Sequence, residues 1–414
     1  MAERGTTLGT GKGPGGVTPS ILPYGRQSID DNDIAAVVEV LRSDWLTTGP
    51  AVRSFEEAFA AAVGARFAVA CNSGTAGLHL ACLSLGLGAG NSVVVPTNTF
   101  VATANAVRYV GAEVRFADVD PDTGLMRPED LAAALKRPGP PAVAVFPVHF
   151  GGQAVDMNAV WSLASEHGLS VVEDACHALG TTYVSRGGDS IKVGSCHDAA
   201  MAVFSMHPVK TITMGEGGVV TTNDEALYKR LNRFRSHGIT REPSEFLNNE
   251  LALDENTEVN PWYYEAIDTG FNYRASDINC ALGLSQLRKL DQFVTRRRFL
   301  VDLYDVLLRP LAPVVRPCRR VPGCDAGFHL YVALIDFDRL GMSRGTLMHT
   351  LRNAGIGTQV HYIPVHRQPV FGNMHLDLVG AEQYYRRCLS LPLYPSMTDD
   401  DVHAVVAALK SAVA

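Results

Sequence analysis

Apolar residues along this chain recur with two different periods. Ile34, Val37, Val38 and Leu41 fall on one helical face behind Ser28, with Asp31 three residues on, which predicts an amphipathic helix N-capped by Ser28. Short apolar runs then predict strands at 67–71, 93–95, 143–148, 169–172, 200–204 and 219–221. Helical stretches separate them, one of which carries Leu78, Ala81, Cys82 and Leu85. Strands alternating with helices predict an α/β fold whose mostly parallel sheet lies between helical layers. Near Ala275 the period becomes helical through Ile278, Leu282, Leu284, Leu287, Leu290 and Phe293. This predicts one long helix leading into a smaller C-terminal unit. We place the division near Gly270, with a large domain over residues 21–270 and a small α+β domain over 271–414. Residues 1–20, rich in Gly, Thr and Pro and without an apolar period, predict a disordered tail.

Composition narrows the function classes. A chain of 414 residues, 46% of them hydrophobic, can bury a large core. The net charge of −7 is spread without a basic block, which argues against a nucleic-acid partner. No apolar run reaches the length of a membrane span, and residues 1–20 lack the hydrophobic segment of a secretory signal, so the expectation is a cytoplasmic protein with no membrane partner. The eight cysteines form no Cys-x-x-Cys pair, which leaves a zinc knot or disulfide framework without support. Gly11-Lys12 lacks the first glycine and the hydroxyl residue of a phosphate loop. The segment 118–124 is close to a calcium loop, but Thr123 holds the position that requires glycine. His361 and His366 share no helical face and no carboxylate cluster. No metal is expected.

Candidate chemistry lies at the ends of the predicted strands. Lys210 ends the stretch 204–210 ahead of the glycine turn at 215–218, a placement suited to an amine that forms a Schiff base with a carbonyl cofactor such as pyridoxal phosphate. Asp174 follows the strand at 169–172, on the edge where open α/β sheets collect ligands, and supplies a carboxylate for a protonated pyridine nitrogen. Ser73-Gly74-Thr75 leads from a strand into a helix, where free backbone N–H groups and the helix dipole favour a phosphate. Each feature has a plainer reading: Ser73 or Asp174 as a helix cap, His177 and Phe100 as core residues, Lys210 as a solvated charge. Phe100 is otherwise placed to stack on a cofactor ring, and His177 to flank it.

Taken in order, these segments resemble the sugar aminotransferase family named after the DegT, DnrJ, EryC and StrS proteins, of pyridoxal phosphate fold type I. The resemblance runs from about Leu22 to the C-terminus and rests on Ser73-Gly74-Thr75, on 173–180, on 204–210 with the 215–218 turn, and on Gly270-Phe271-Asn272-Tyr273-Arg274. It implies a large domain with a mostly parallel seven-stranded sheet, Lys210 as the Schiff-base lysine and Asp174 as the pyridinium partner. It further implies that Ser73, Gly74, Thr75 and Ser205 bind the phosphate, and that Asn272 reaches the phosphate of a neighbouring subunit in a homodimer with shared active sites. The segments 22–30, 43–50, 235–241 and 359–364 resemble the branch that aminates C4 of a UDP-linked keto sugar on the way to pseudaminic acid. That branch implies L-glutamate as donor, with Tyr24, Trp45, Thr47, His361 and Tyr362 lining the nucleotide-sugar side. Cys176, Met206 and Met214 depart from the residues common at their positions. Three alternatives share the fold: an aminotransferase for another nucleotide-linked keto sugar, a sugar 3-dehydratase, whose branch replaces the lysine with histidine, and a non-catalytic regulator.

Overall fold

Runs rich in valine and alanine, too short for stable helices, form the seven strands of the main sheet: β1 (Phe67–Cys71), β2 (Ser92–Pro96), β3 (Glu113–Ala117), β4 (Ala142–Val145), β5 (Ser170–Asp174), β6 (Met201–Ser205) and β7 (Gly218–Thr222). The structure is a computed structural model that describes residues 21–372 and 376–413; the expected tail and Gly11-Lys12 lie outside them. The sheet order is β1-β7-β6-β5-β4-β2-β3. β7 runs antiparallel to both neighbours, and every other pairing is parallel. Continuous burial of β2 and β7 follows from helices on both faces. On one side Phe59 of α2 (Pro50–Val63) meets Phe204, with ring centroids 5.1 Å apart, in a cluster that extends across the sheet to Val145. On the other, Leu78 of α3 (Gly74–Ser84) and Ala102 of α4 (Val101–Tyr109) meet Val95 and Val203. These layers leave the C-terminal ends of β5 and β6 open to ligand.

Three antiparallel strands, Val315–Pro317, Tyr331–Ile335 and Cys388–Leu391, form a smaller sheet. Leu300, Tyr304, Leu347 and Val405 pack against it from the helices Leu290–Leu308, Arg344–Asn353 and Asp399–Val413. The start of the described chain joins this unit, since the Leu22 N–H donates to Gly355 O (2.9 Å) and the Leu393 N–H to Tyr24 O (3.0 Å). Tyr24 is thereby held beside the segment 359–362.

Three local expectations are corrected. The first helix, α1 (Asp31–Leu41), is capped by Asp30 rather than Ser28, and Asp33 closes the capping box. Its apolar face is not core: Ile34 and Leu41 are 54% and 55% exposed, while Asp33 is fully buried and accepts from Ser285 Oγ (2.7 Å), Gln286 Nε2 (2.7 Å) and Lys289 Nζ (2.5 Å). The long helix expected from Ala275 is two, Asp277–Leu287 and Leu290–Leu308, broken at Arg288-Lys289. The strand expected to run to Val148 is regular only to Val145; Pro147 has no N–H to donate, and beyond it the pairing continues only as an isolated bridge from Val148 to Asp174. No helix among the described residues is long and apolar enough to cross a membrane.

Candidate active site

The phosphate side of the site is built where β1, β6 and β7 meet the start of α3. Ser73 is the extended N-cap, and its Oγ accepts from the Ala76 N–H (3.1 Å). The N–H groups of Gly74 and Thr75, in the first helical turn, have no intrahelical acceptor. Glycine is required around them: a Cβ on Gly74 would lie 2.8 Å from Ser205 Cβ, and one on Gly218 would lie 2.4 Å from Ser73 O. Their absence brings the Ser205 hydroxyl against the helix start. Hydroxyls, free N–H groups and a positive helix end together fit a phosphate.

A cavity of about 570 Å³ opens from this cradle, with Asp174 and Lys210 in its wall. Asp174 closes β5 and is buried; its Oδ1 accepts from the Cys176 N–H (3.1 Å) and its Oδ2 from the Thr103 hydroxyl (2.7 Å). Glu173, pointing to the opposite face of the strand, pairs instead with buried His149 (2.9 Å). Lys210 sits in the loop between β6 and β7, which is pinned by the Met206 N–H on Gly217 O (2.8 Å) and the Met214 N–H on Met206 O (3.0 Å). Burial lowers the Lys210 pKa below that of a free lysine, and the neighbouring Cys176 and Asp174 partly oppose the shift. A half-buried amine beside a buried carboxylate at the sheet edge fits a carbonyl cofactor with a pyridine ring.

The opposite wall is aromatic and uncharged. His177 Nδ1 accepts from the Gly151 N–H (3.3 Å), so in the neutral ring Nε2 carries the proton and donates to the Tyr362 hydroxyl (3.1 Å). Burial first, and then the Lys210 and His361 charges, hold the His177 pKa well below the ordinary imidazole value. His329 packs on His177 with centroids 4.5 Å apart and is depressed in the same way. Burial and then Lys210 lower His361 to about 3; its Nδ1 lies 2.8 Å from Ser390 Oγ, and its ring lies 5.4 Å from Tyr24. The Tyr362 phenol is pushed up by desolvation.

Of the residues singled out from the sequence, Tyr24, Ser73, Gly74, Thr75 and Phe100 line this cavity, as do Asp174, His177, Ser205, Lys210, His361 and Tyr362. Phe100 is the N-cap of α4, 58% exposed at the mouth, with its ring 6.0 Å from Tyr362. Three residues lie elsewhere. Asn272 is exposed and bridges to Ser236. Trp45 and Thr47 are exposed on the turn between α1 and α2, with Trp45 against Gly49 and Asp277. Sequence reasoning missed Thr103 and His329. A Thr99/Thr103 pair at helical spacing beyond β2 was the only local signal for the first; the second comes from a remote segment with none. The segment 118–124 runs from β3 toward the helix Pro128–Leu135. Asp120 caps its own turn and pairs with Arg319, while Asp122 pairs with Arg316 and Arg387. Among the described residues no group of three or more His, Cys, Asp or Glu is placed to hold a metal.

The chain is 40% identical over 397 residues to the spore coat polysaccharide biosynthesis protein SpsC of Bacillus subtilis (strain 168), covering 95% of this chain and 97% of that protein. Its fold matches PseC of Helicobacter pylori, an aminotransferase involved in the biosynthesis of pseudoaminic acid, with a TM-score of 0.84 and 29% identity over 95% of this chain and 99% of that one. It also matches Spr1654 of Streptococcus pneumoniae, solved in a PLP-form (TM-score 0.81, 25% identity, 95% and 98% covered) and a PMP-form (TM-score 0.82, 26% identity, 94% and 98% covered). The model of the DegT/DnrJ/EryC1/StrS aminotransferase family matches residues 27–410. With a fold type I sheet and matches of this extent, the chain belongs to that family and is a sugar aminotransferase.

Proposed function

We propose that the chain moves an amino group from L-glutamate to C4 of a UDP-linked 4-keto-6-deoxy-N-acetylhexosamine, using pyridoxal phosphate on Lys210, as a cytoplasmic homodimer with shared active sites. The observation that carries this reading is the convergence of Lys210, Asp174 and the Ser73-Gly74-Thr75 cradle in one cavity. When bound, pyridoxal phosphate supplies the carbonyl that accepts an amine and the ring that spreads the electrons left by proton loss.

The side chains divide the remaining work. The Gly74 and Thr75 N–H groups, with the Ser73, Thr75 and Ser205 hydroxyls, hold the phosphate. Asp174 holds the ring nitrogen as its protonated form, and Phe100 covers one ring face. Lys210, its pKa lowered by burial, takes a proton from the substrate carbon as a neutral amine and returns it as an acid. Tyr24, His361 and Tyr362 face the sugar with hydrogen-bonding groups that carry no charge at neutral pH. Asn272 lies outside its own chain's cavity, in keeping with a reach into a partner's site, and the exposed apolar face of α1 supports association. Trp45 and Thr47 would join the nucleotide side only through that association.

The test is a panel of UDP- and dTDP-linked 4-keto-6-deoxy sugars with L-glutamate, read by product mass and kcat/KM. The UDP-linked L-arabino 4-ulose should be favoured. Preference for a dTDP-linked 4-keto-6-deoxyglucose defeats the substrate assignment, and aminated product from neither defeats the reaction.

A further inference from the structure

The ring-nitrogen partner is itself held by a hydroxyl relay. Thr103 lies in the first turn of α4, fully buried, with its Oγ1 2.7 Å from Asp174 Oδ2. A hydroxyl has one proton, and the Asp174 carboxylate oxygen is both nearer than Phe100 O (3.2 Å) and, as an anion, a stronger acceptor than a neutral hydroxyl. Thr99 Oγ1 lies 2.8 Å from Thr103 Oγ1 and is 2% exposed. With the Thr103 proton on Asp174, Thr99 must be the donor to Thr103. The order is Thr99 to Thr103 to Asp174, with all three side chains buried in the cavity wall.

We infer that Thr103, backed by Thr99, is a positioning residue that fixes the orientation of the Asp174 carboxylate toward the cofactor ring. The inference rests on the pyridoxal phosphate reading above. Its physical basis is that removing a buried donor leaves the carboxylate oxygen without a partner, so that the group turns away from the geometry the cofactor needs. Oδ1 is already held by the Cys176 N–H, so the Thr103 bond fixes the remaining rotation of the carboxylate. Because the same helical turn starts at Phe100, a single short segment sets both the ring face and the ring-nitrogen partner. The titratable groups facing Asp174 are Cys176 and His177 just beyond β5, Lys210 after β6, and Tyr362 from the C-terminal segment.

The experiment compares wild-type protein with Thr103→Val, which keeps the branched shape without the donor, Thr103→Ala, and Thr103→Ser, which keeps the hydroxyl. Each is loaded with pyridoxal phosphate; its visible absorbance is titrated against pH and its cofactor Kd measured, with circular dichroism as the folding control. Thr103→Val and Thr103→Ala should both move the apparent pKa of the absorbance by about one unit, a tenfold change in the underlying equilibrium. Thr103→Ser should restore the wild-type titration. A folded Val or Ala variant that titrates like wild type overturns the inference, as does a Ser variant that shifts like Val. A wild-type protein that forms no coloured complex instead overturns the pyridoxal phosphate reading on which it rests.

Discussion

Gly218→Ala tests the phosphate cradle through one added methyl group. Gly218 opens β7 beneath the Ser73–Gly74 peptide, and its backbone angles suit any residue, so contact alone sets the penalty. The new Cβ would lie 2.4 Å from Ser73 O, 2.5 Å from Ser73 C and 2.8 Å from Gly74 N, all backbone atoms that cannot rotate away. Carbon–oxygen contacts sit at about 3.3 Å, so the gap must widen by roughly 0.9 Å. Gly218 is paired to Cys71 on one side and Ser205 on the other, and the displacement therefore falls on the start of α3. A shift of that size carries a hydrogen bond of about 2.9 Å beyond useful range. Two charge-assisted bonds at about 1.5 kcal/mol each amount to about 3 kcal/mol, or roughly a hundredfold in Kd. Overpacking should cost a further 1–3 kcal/mol or so of stability, within what a folded domain tolerates. Titrating the cofactor-free protein with pyridoxal phosphate by absorbance, with a thermal melt as control, reads both effects. A folded variant that binds within about threefold of wild type refutes the cradle.

Two further outcomes follow from the site. Asp174→Asn should retain cofactor through the phosphate contacts but slow conversion by L-glutamate about a thousandfold or more, since an amide cannot hold a protonated ring nitrogen; near-normal stopped-flow rates remove Asp174 from the mechanism. Stability should fall with acidity, because the unfolded chain protonates its histidines near pH 6.5 while His361 stays neutral in the fold down to about 3. Between those values the unfolded state binds more protons, so His361 costs about 2 kcal/mol at pH 5. His361→Gln should flatten the dependence of urea stability between pH 7 and 5, and an unchanged slope contradicts its buried neutral state.

How much was legible in the sequence depended on how local the cause was. β1, β6 and β7 lie within a residue or two of the expected runs, because apolar, β-branched residues without breakers leave few alternatives. β3 escaped notice: Glu-Val-Arg-Phe-Ala sits at the sheet edge with its first residues partly exposed, so its apolar signal is thin. The break at Arg288-Lys289 was invisible because the apolar period continues through it; what marks it is Lys289 turning to the buried Asp33, 256 residues away. The exposure of the apolar face of α1 is not legible for a related reason, since periodicity reports amphipathicity and not what covers it. In the site, Ser73-Gly74-Thr75, Asp174 and Lys210 stood out because each sits where a strand or its turn ends at the open sheet edge. Thr103 and His329 did not, since their roles exist only across contacts between distant segments.

The proposed attachment of the cofactor to Lys210 in this cavity can be observed chemically. Borohydride reduction of the pyridoxal phosphate-loaded protein, followed by proteolysis and mass mapping, tests it directly. The expected result is a phosphopyridoxyl group on Lys210 and no trapping in Lys210→Ala. Label on another lysine, or trapping at wild-type level in that variant, would contradict it.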